Sequence, residues 1–218
     1  MTYLTQAIVE VRSAMRHKLN DSYAWHKAVW DAFPGQPNRR RDYLTRLDRI
    51  RDHFRLLILS PDSPVRPSWS DDWQTKEIAP SYFGAKRYRF QLCANPTKKV
   101  GSVLPDGSPT KNGRRVPQTR REDLVAWMER KAEQSGFAID AASLQTIPKG
   151  REYFTKQGQL GLHNAIEFRG TLTVLDRDKF YEAFRRGIGS AKAFGFGLLM
   201  PVPIASEAIG NKQEKLKQ

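Results

Sequence analysis

Residues 164–187 read NAIEFRGTLTVLDRDKFYEAFRRG, and they contain a strand pattern that changes directly into a helix pattern. The first half is rich in β-branched and apolar residues, which is typical of a strand. Asp176 is a good N-cap, Phe180 and Phe184 follow it at helical spacing, and the final glycine is a typical helix end. A last strand is predicted over 197–204. Strand, helix and strand in this order form the second half of a β-α-β-β-α-β unit.

The chain before residue 164 follows the same pattern of elements. Alternating or β-branched apolar residues predict strands, and N-cap residues followed by apolar residues at helical spacing predict helices. In chain order we predict a strand over 3–12, a helix from Asn20 or Asp21 to Pro34, strands over 43–50, 54–60, 74–79 and 88–94, a helix from the capping box Thr119 to Glu122 as far as Gly136, and a strand over 138–147. Prolines leave only a short or degenerate helix over 61–73. A long loop is expected over 96–117, and a polar hairpin over 149–161.

The order β-α-β-β-(α)-β therefore occurs twice. It predicts an α+β protein with two tandem ferredoxin-like (RRM-like) domains, in which antiparallel sheets carry helices on one face. We expect an N-terminal domain over 1–82, a C-terminal domain over 83–206 and a polar tail over 207–218. The strand 54–60 contains four consecutive apolar residues, which is typical of a central strand that is covered on both faces.

Composition restricts the classes of protein and of chemistry. Lys and Arg number 37 against 23 Asp and Glu, so the net charge is +14 and an anionic partner is expected. Cys93 is the single cysteine, which excludes an intramolecular disulfide, and the four histidines show no metal-ligand spacing, so no metal and no other cofactor is predicted. We find no leader pattern and no membrane-spanning stretch, and we therefore expect a cytoplasmic protein with no membrane partner.

Basic residues are concentrated in a few segments, where they predict contacts with nucleic acid, although a solvated surface is the usual explanation of such runs. The candidates are Arg39, Arg40, Arg41, Lys98, Lys111, Arg114, Arg115, Lys149, Arg151, Lys156 and Lys192. Arg46, Arg49, Arg51 and Arg55 extend the first cluster. In the hairpin, Tyr153 and Phe154 alternate with the basic residues, which suits base stacking and core packing equally well.

Two further patterns have both a functional and a structural explanation. Tyr23, His26 and Lys27 lie around one side of the first predicted helix. They could form a proton-transfer site with a stabilising cation, or His26 could be an ordinary helical histidine. Near the C-terminus, glycines follow a helix and precede a strand, which excludes a dinucleotide-binding loop or a P-loop. They could close the helix and permit tight packing, or they could allow RNA to approach. These glycines are Gly187, Gly189, Gly195 and Gly197.

Four segments resemble a known family. Residues 21–34, DSYAWHKAVWDAFP, resemble the first-helix signature of the CasE endoribonucleases, the Cascade subunits that process CRISPR repeat RNA. Residues 90–98, FQLCANPTK, and the segment from Arg114 to Pro117 resemble the same family. Residues 186–199, RGIGSAKAFGFGLL, are similar to the glycine-rich loop of the wider repeat-associated RNA-binding superfamily.

The resemblance implies an endoribonuclease that works without metal. It implies binding of the CRISPR repeat hairpin, cleavage at the base of the stem by attack of a 2′-hydroxyl to leave a 2′,3′-cyclic phosphate, and retention of the guide RNA in a Cascade-like complex. His26 matches the catalytic histidine of the family and Tyr23 its neighbouring tyrosine, while Lys27 is a candidate charge stabiliser. Two alternatives stay open at this point: a non-catalytic RRM-like RNA-binding subunit of a ribonucleoprotein, and a basic assembly protein of ribosomal type.

Overall fold

The computed structural model describes residues 1–35, 41–101, 107–108, 114–156 and 158–205, with only the backbone of Arg114 and Lys156. Two antiparallel sheets with the same strand order form its framework. The first contains β1 (Tyr3–Glu10), β2 (Leu44–Ile50), β3 (His53–Ser60) and β4 (Asp72–Glu77) in the order β2-β3-β1-β4. The second contains β5 (Arg87–Ala94), β8 (Phe137–Ile139), β9 (Gln145–Lys156), β10 (Gln159–Val174) and β11 (Leu199–Pro203) in the order β11-β5-β10-β8, with β9 also paired to β10.

The four strands of the second sheet that correspond to β1, β2, β3 and β4 are β5, β8, β10 and β11. In both sheets the fourth of these strands pairs with the first, the first with the third, and the third with the second, which is the ferredoxin-like arrangement. The predicted fold class is therefore confirmed. A separate ribbon of β6 (Thr97–Val100) and β7 (Arg114–Pro117) lies within the predicted long loop, so the prediction of an unstructured connection there is wrong. The boundaries proposed for the two domains, 1–82 and 83–206, stay a prediction, as does the polar tail over 207–218, which lies outside the described residues.

The helices correct the sequence prediction at two places. The first strand ends at Glu10, and α1 (Val11–Arg16) precedes α2 (Ser22–Ala28), which continues as a 3-10 turn over Val29–Ala32. Asp21 caps α2, because its Oδ1 accepts a hydrogen bond of 2.7 Å from the Ala24 N–H. The predicted capping box at Thr119 is wrong, since α3 (Arg121–Gln134) has Arg120 as its N-cap without a side-chain hydrogen bond. In α4 (Arg177–Arg186), Asp176 and Gly187 cap the ends as predicted.

No helix forms over 61–71, a range that the structure describes throughout. Three prolines, Pro61, Pro64 and Pro67, interrupt that stretch. The loop instead inserts Trp69, which is 2% exposed and packs against Trp25 of α2. The indole N–H of Trp69 donates a hydrogen bond of 3.1 Å to the Ala28 carbonyl at the end of α2. Trp69 therefore stabilises the position of α2, the helix that carries His26.

The two sheets are joined by apolar contacts and by a buried ion pair. Leu57 and Leu59 of the central strand β3 pack against Phe184 and Leu198, which confirms that this strand is covered on both faces. Beside them, Arg46 of β2 donates a hydrogen bond of 2.7 Å to Glu167 of β10, and both side chains are almost fully buried. Arg46 also binds Asp48, which in turn accepts a hydrogen bond from Arg55. Arg46 therefore holds the two sheets together, and its assignment to a basic RNA-facing cluster is wrong, whereas Arg55 pairs within the first sheet and stays partly exposed.

Candidate active site and RNA interface

Tyr23, His26 and Lys27 come together on α2, as their spacing predicts. The ring centroids of Tyr23 and His26 are 6.4 Å apart, and the Lys27 Nζ lies 5.1 Å from the Tyr23 centroid. Tyr23 and His26 are half-buried, whereas Lys27 is exposed. An imidazole, a phenol and an ammonium group within one helical turn can transfer a proton and stabilise a developing negative charge.

His26 lines a cavity of about 240 Å³ between α2 and the two sheets. Its walls include the start of α2, strands β2 and β3, the hairpin strand β9 and the loop that follows α4. The hairpin is attached to α2 at this point, because the second carboxylate oxygen of Asp21 accepts a hydrogen bond of 3.3 Å from the Thr155 N–H. One acidic side chain therefore both caps the helix of His26 and holds the hairpin against it.

Cys93 and Glu152 line the same cavity, and burial raises the pKa of both groups. Burial raises the pKa of the Cys93 thiol to about 12, so it is protonated at neutral pH and is a poor nucleophile. Burial also raises the pKa of Glu152. Glu152 was not predictable as a residue of the site, because an isolated glutamate in a polar hairpin carries no motif.

Aromatic rings connect the hairpin with the glycine-rich loop beside His26. Phe194 lies 6.3 Å from His26 and 4.4 Å from Phe154 of the hairpin, measured between ring centroids. His163 of β10 stacks on Phe154 at 4.7 Å with an interplanar angle of 20°, and it contacts Phe194 at 4.8 Å. Phe154 is therefore a packing residue, whereas the neighbouring Tyr153 is 54% exposed at the wall of the cavity.

The glycine-rich loop is shaped by close packing. Gly187 has a φ of +74°, and a Cβ there would lie 2.8 Å from a methyl carbon of Leu44. Gly197 has a φ of +89°, and its Cβ would lie 2.7 Å from the Ile188 carbonyl oxygen. Gly189 and Gly195 also have positive φ. The close contacts support the packing explanation of the glycines. The loop places the 3-10 turn Lys192–Phe194 beside the cavity of His26.

Lys192 and Arg41, both selected from the sequence, line a second depression of about 690 Å³ together with Arg185 and Arg186 of α4. The Lys192 ammonium donates a hydrogen bond of 2.8 Å to the Arg186 carbonyl oxygen. Burial, and then the charges of Arg41, Lys131 and Arg186, lower the pKa of Lys192. Asp42 and Glu182 also line the depression, and Glu182 pairs with Arg186, but the cations that surround Lys192 still favour binding of an anion such as a phosphate.

The other predicted RNA contacts lie on two exposed elements. Lys98 and Arg115 lie on the β6–β7 ribbon, which begins two residues after Asn95, and Lys149 and Arg151 lie on β9 of the hairpin. All four side chains are exposed. Arg39, Arg40 and Lys111 lie outside the described residues, as do the side chains of Arg114 and Lys156.

Several residues around the site were missed by sequence reasoning. Asn95, His163 and Phe194 become neighbours only through the pairing of distant strands and the path of the last loop. The segment 90–98 was a signal for Asn95, but it did not indicate what the side chain contacts. In the described ranges, no group of three or more His, Cys, Asp or Glu side chains is placed to hold a metal ion. Nor does any helix in those ranges combine the length and the apolar character needed to cross a membrane.

Comparisons with known proteins agree with this architecture. The sequence profile of a family described as "CRISPR associated protein" matches residues 2–203. The chain is 27% identical to the CRISPR system Cascade subunit CasE of Escherichia coli, over 93% of this chain and 100% of that protein. It is also 27% identical to the CRISPR-associated endoribonuclease Cse3 of Thermus thermophilus, over 92% of this chain and 100% of that protein.

A solved structure of Thermus thermophilus Cse3, bound to an RNA that represents a pre-cleavage complex, superposes with a TM-score of 0.73. The two proteins are 26% identical, and the match covers 93% of this chain and 99% of that one. The profile match spans both sheets, the α2 helix and the glycine-rich loop. The chain therefore belongs to the CRISPR associated protein family, as a CasE-type member.

Proposed function

We propose that this protein is an endoribonuclease that binds the hairpin of a CRISPR repeat RNA, cuts at the base of its stem and stays on the guide RNA as a subunit of a Cascade-like complex. Family membership and the RNA-bound relative support the substrate class. Among the structural features, the placement of Tyr23, His26 and Lys27 beside one cavity carries the proposal. The cytoplasm is the location that we assign to this activity.

The reaction that suits these groups is an internal transesterification. His26 accepts the proton of a ribose 2′-hydroxyl, the 2′-oxygen forms a bond to the adjacent phosphorus, and the bond from phosphorus to the 5′-oxygen breaks. That oxygen takes up a proton from solvent water, His26 returns its proton to solvent, and a 2′,3′-cyclic phosphate remains on the other product. Tyr23 orients the hydroxyl, and Lys27 stabilises the charge on the phosphorane oxygens. No metal is required by this scheme.

The exposed surface around the cavity suits the RNA. Arg151 projects from the same face of β9 as Tyr153, since residues two apart share a face of a strand, and Lys149 lies exposed at the adjacent β-bulge. The cations bind phosphates, and the Tyr153 ring offers a stacking platform for a base near the scissile bond. With the domain boundary at 82/83, the site lies between an N-terminal domain that supplies His26 and a C-terminal domain that supplies the hairpin and the loop.

The test of the proposal is cleavage of labelled repeat RNA by the protein and its His26→Ala variant, with a chelator present. We expect the variant to lose cleavage by at least about 10²-fold, because proton transfer contributes about 10²–10⁴-fold to such reactions. Its affinity for the hairpin should stay close to that of the unchanged protein. Full cutting by the variant would remove His26 from the mechanism. Failure of the unchanged protein to cut would instead favour a non-catalytic RNA-binding subunit.

A further inference from the structure

Asn95 lies at a junction of three elements beside the site. It follows β5 directly and is 6% exposed. Its Oδ1 accepts a hydrogen bond of 3.2 Å from the Asn164 N–H of β10, and its Nδ2 lies 3.0 Å from the His163 Nδ1. Its main-chain carbonyl accepts a hydrogen bond of 3.3 Å from the Ser190 hydroxyl of the glycine-rich loop. One buried residue therefore joins the end of β5, the central strand of the second sheet and the loop that carries Phe194.

These contacts determine the chemical state of the His163 ring. A backbone N–H can only donate, so the side-chain atom of Asn95 that faces Asn164 must be the oxygen. The amide nitrogen then faces His163, and because it can only donate, the His163 Nδ1 must accept. A neutral imidazole that accepts at Nδ1 carries its proton on Nε2. Burial also lowers the pKa of His163, which favours the same uncharged form.

The uncharged ring is the centre of the aromatic cluster. His163 stacks on Phe154 and contacts Phe194 and Phe196, at centroid distances of 4.7, 4.8 and 5.5 Å. Phe194 is in turn the ring of this cluster that contacts His26, at 6.3 Å. An added charge or a rotation of the His163 ring would disturb the packing that keeps Phe194 in place.

We propose that Asn95 and His163 are positioning residues for His26: Asn95 holds His163 as the neutral Nε2–H tautomer and fastens the glycine-rich loop, so that Phe194 packs against the His26 ring. The inference rests on the proposed role of His26 in proton transfer. It goes beyond that role by assigning a task to the segment 90–98, which no catalytic step uses.

The first test is spectroscopic and does not depend on cleavage. In the full-length protein labelled with ¹⁵N-histidine, correlation spectra at neutral pH should show His163 as the Nε2–H tautomer, with the signals assigned by the variant His163→Gln. In Asn95→Asp, a carboxylate oxygen replaces the amide donor, so the proton should move to Nδ1 or the ring should become charged. An Nδ1–H or charged His163 in the unchanged protein would overturn the proposal.

The second test separates positioning from binding. We expect Asn95→Asp to lower the single-turnover cleavage rate at saturating protein by about 10-fold or more, since small misplacements of reacting groups cost up to about 10²-fold. The dissociation constant for repeat RNA should change by less than about two-fold, as for a residue that acts on the chemical step. Gln74→Glu, which adds the same charge on the exposed strand β4, is the matched control and should cleave normally.

The third test uses two variants of Ser190 and remains possible if Asn95→Asp does not fold. Ser190→Ala removes the hydrogen bond from the glycine-rich loop to the Asn95 carbonyl and should slow cleavage. Ser190→Thr keeps the hydroxyl and should cleave at the normal rate. A switched His163 tautomer with unchanged cleavage in Asn95→Asp, or equal rates for the two Ser190 variants, would refute the positioning role. If the unchanged protein does not cut at all, the proposed function fails, while the spectra still decide the state of His163.

Discussion

At the scale of single residues, the site consists of side chains on α2 and of side chains that pack against α2. The spacing of Tyr23, His26 and Lys27 predicted that they share one side of a helix, and the structure brings them together. Asp21 and Asp176 were also predictable as caps, because N-capping depends on a few local residues. The contacts of Asn95 with His163 were not predictable, because they join residues that only strand pairing makes neighbours.

Tyr153 gives a prediction at this scale. Because its ring is 54% exposed at the cavity wall, we expect it to stack on a base of the bound RNA. Tyr153→Ala should weaken binding of repeat RNA by about 1–3 kcal/mol, the usual value for one stacked base, whereas Tyr153→Phe should bind normally. Equilibrium binding with both variants is the measurement. Equal losses for Ala and Phe would assign the effect to the hydroxyl instead of the ring.

At the scale of elements, the loop after α4 and the hairpin of β9 and β10 place their side chains against α2. Sequence patterns predicted both elements, since turn residues and alternation are local signals. They could not predict that Gly187 and Gly197 leave no room for a side chain beside Leu44 and Ile188, because these close contacts depend on the packing of the two sheets. The loop over 61–71 shows the same limit, since only the structure reveals that Trp69 occupies the space under α2.

Gly197→Ala tests the loop as an element. At a φ of +89° and with the new Cβ 2.7 Å from a carbonyl oxygen, the substitution should destabilise the protein by about 1–3 kcal/mol. In a chain of this size each kcal/mol lowers the melting temperature by about 2–4 °C. Thermal unfolding measures the effect, and Gly101→Ala, where nothing lies within 4 Å, is the matched control. Equal melting temperatures for the two variants would contradict the packing explanation.

At the scale of the whole molecule, the excess of positive charge is divided between two tasks. The net charge predicted an anionic partner, but it does not distinguish basic residues that contact RNA from basic residues that stabilise the fold. The structure leaves Lys98, Arg115, Lys149 and Arg151 exposed, whereas Arg46 is buried in the junction between the sheets. A charge pattern in sequence cannot separate these cases, because the partner of Arg46 lies on β10, far along the chain.

The Arg46 junction predicts how stability depends on this ion pair. Arg46→Ala leaves Glu167 with the partly exposed Arg169 and Asp48 with the partly exposed Arg55, and should lower the free energy of unfolding by about 2–4 kcal/mol, somewhat less than for an unpaired buried charge. Arg12→Ala, which removes an ion pair between exposed side chains, should change it by less than about 0.5 kcal/mol. Denaturant unfolding of both variants is the measurement, and similar stabilities would contradict the account of the junction.

The same network gives a pH dependence. Burial alone would raise the pKa of Asp48, but the hydrogen bonds and charges of Arg46 and Arg55 outweigh it and keep that pKa below its ordinary value. A carboxylate with a lowered folded-state pKa stabilises the protein fully above its unfolded-state pKa, about 3.9, and loses this contribution as the pH falls towards the folded value. Asp48→Asn should therefore reduce the loss of stability below about pH 4, measured by denaturant unfolding.

The central claim is that this protein cuts RNA through the ribose hydroxyl next to the scissile phosphate. The most direct test offers the protein, with a chelator present, repeat RNA that carries a single 2′-deoxy sugar at the scissile nucleotide, beside the unmodified RNA. We predict that both RNAs bind equally, that only the unmodified RNA is cut, and that its product carries a 2′,3′-cyclic phosphate. Cleavage of the 2′-deoxy RNA at the same bond would contradict the account.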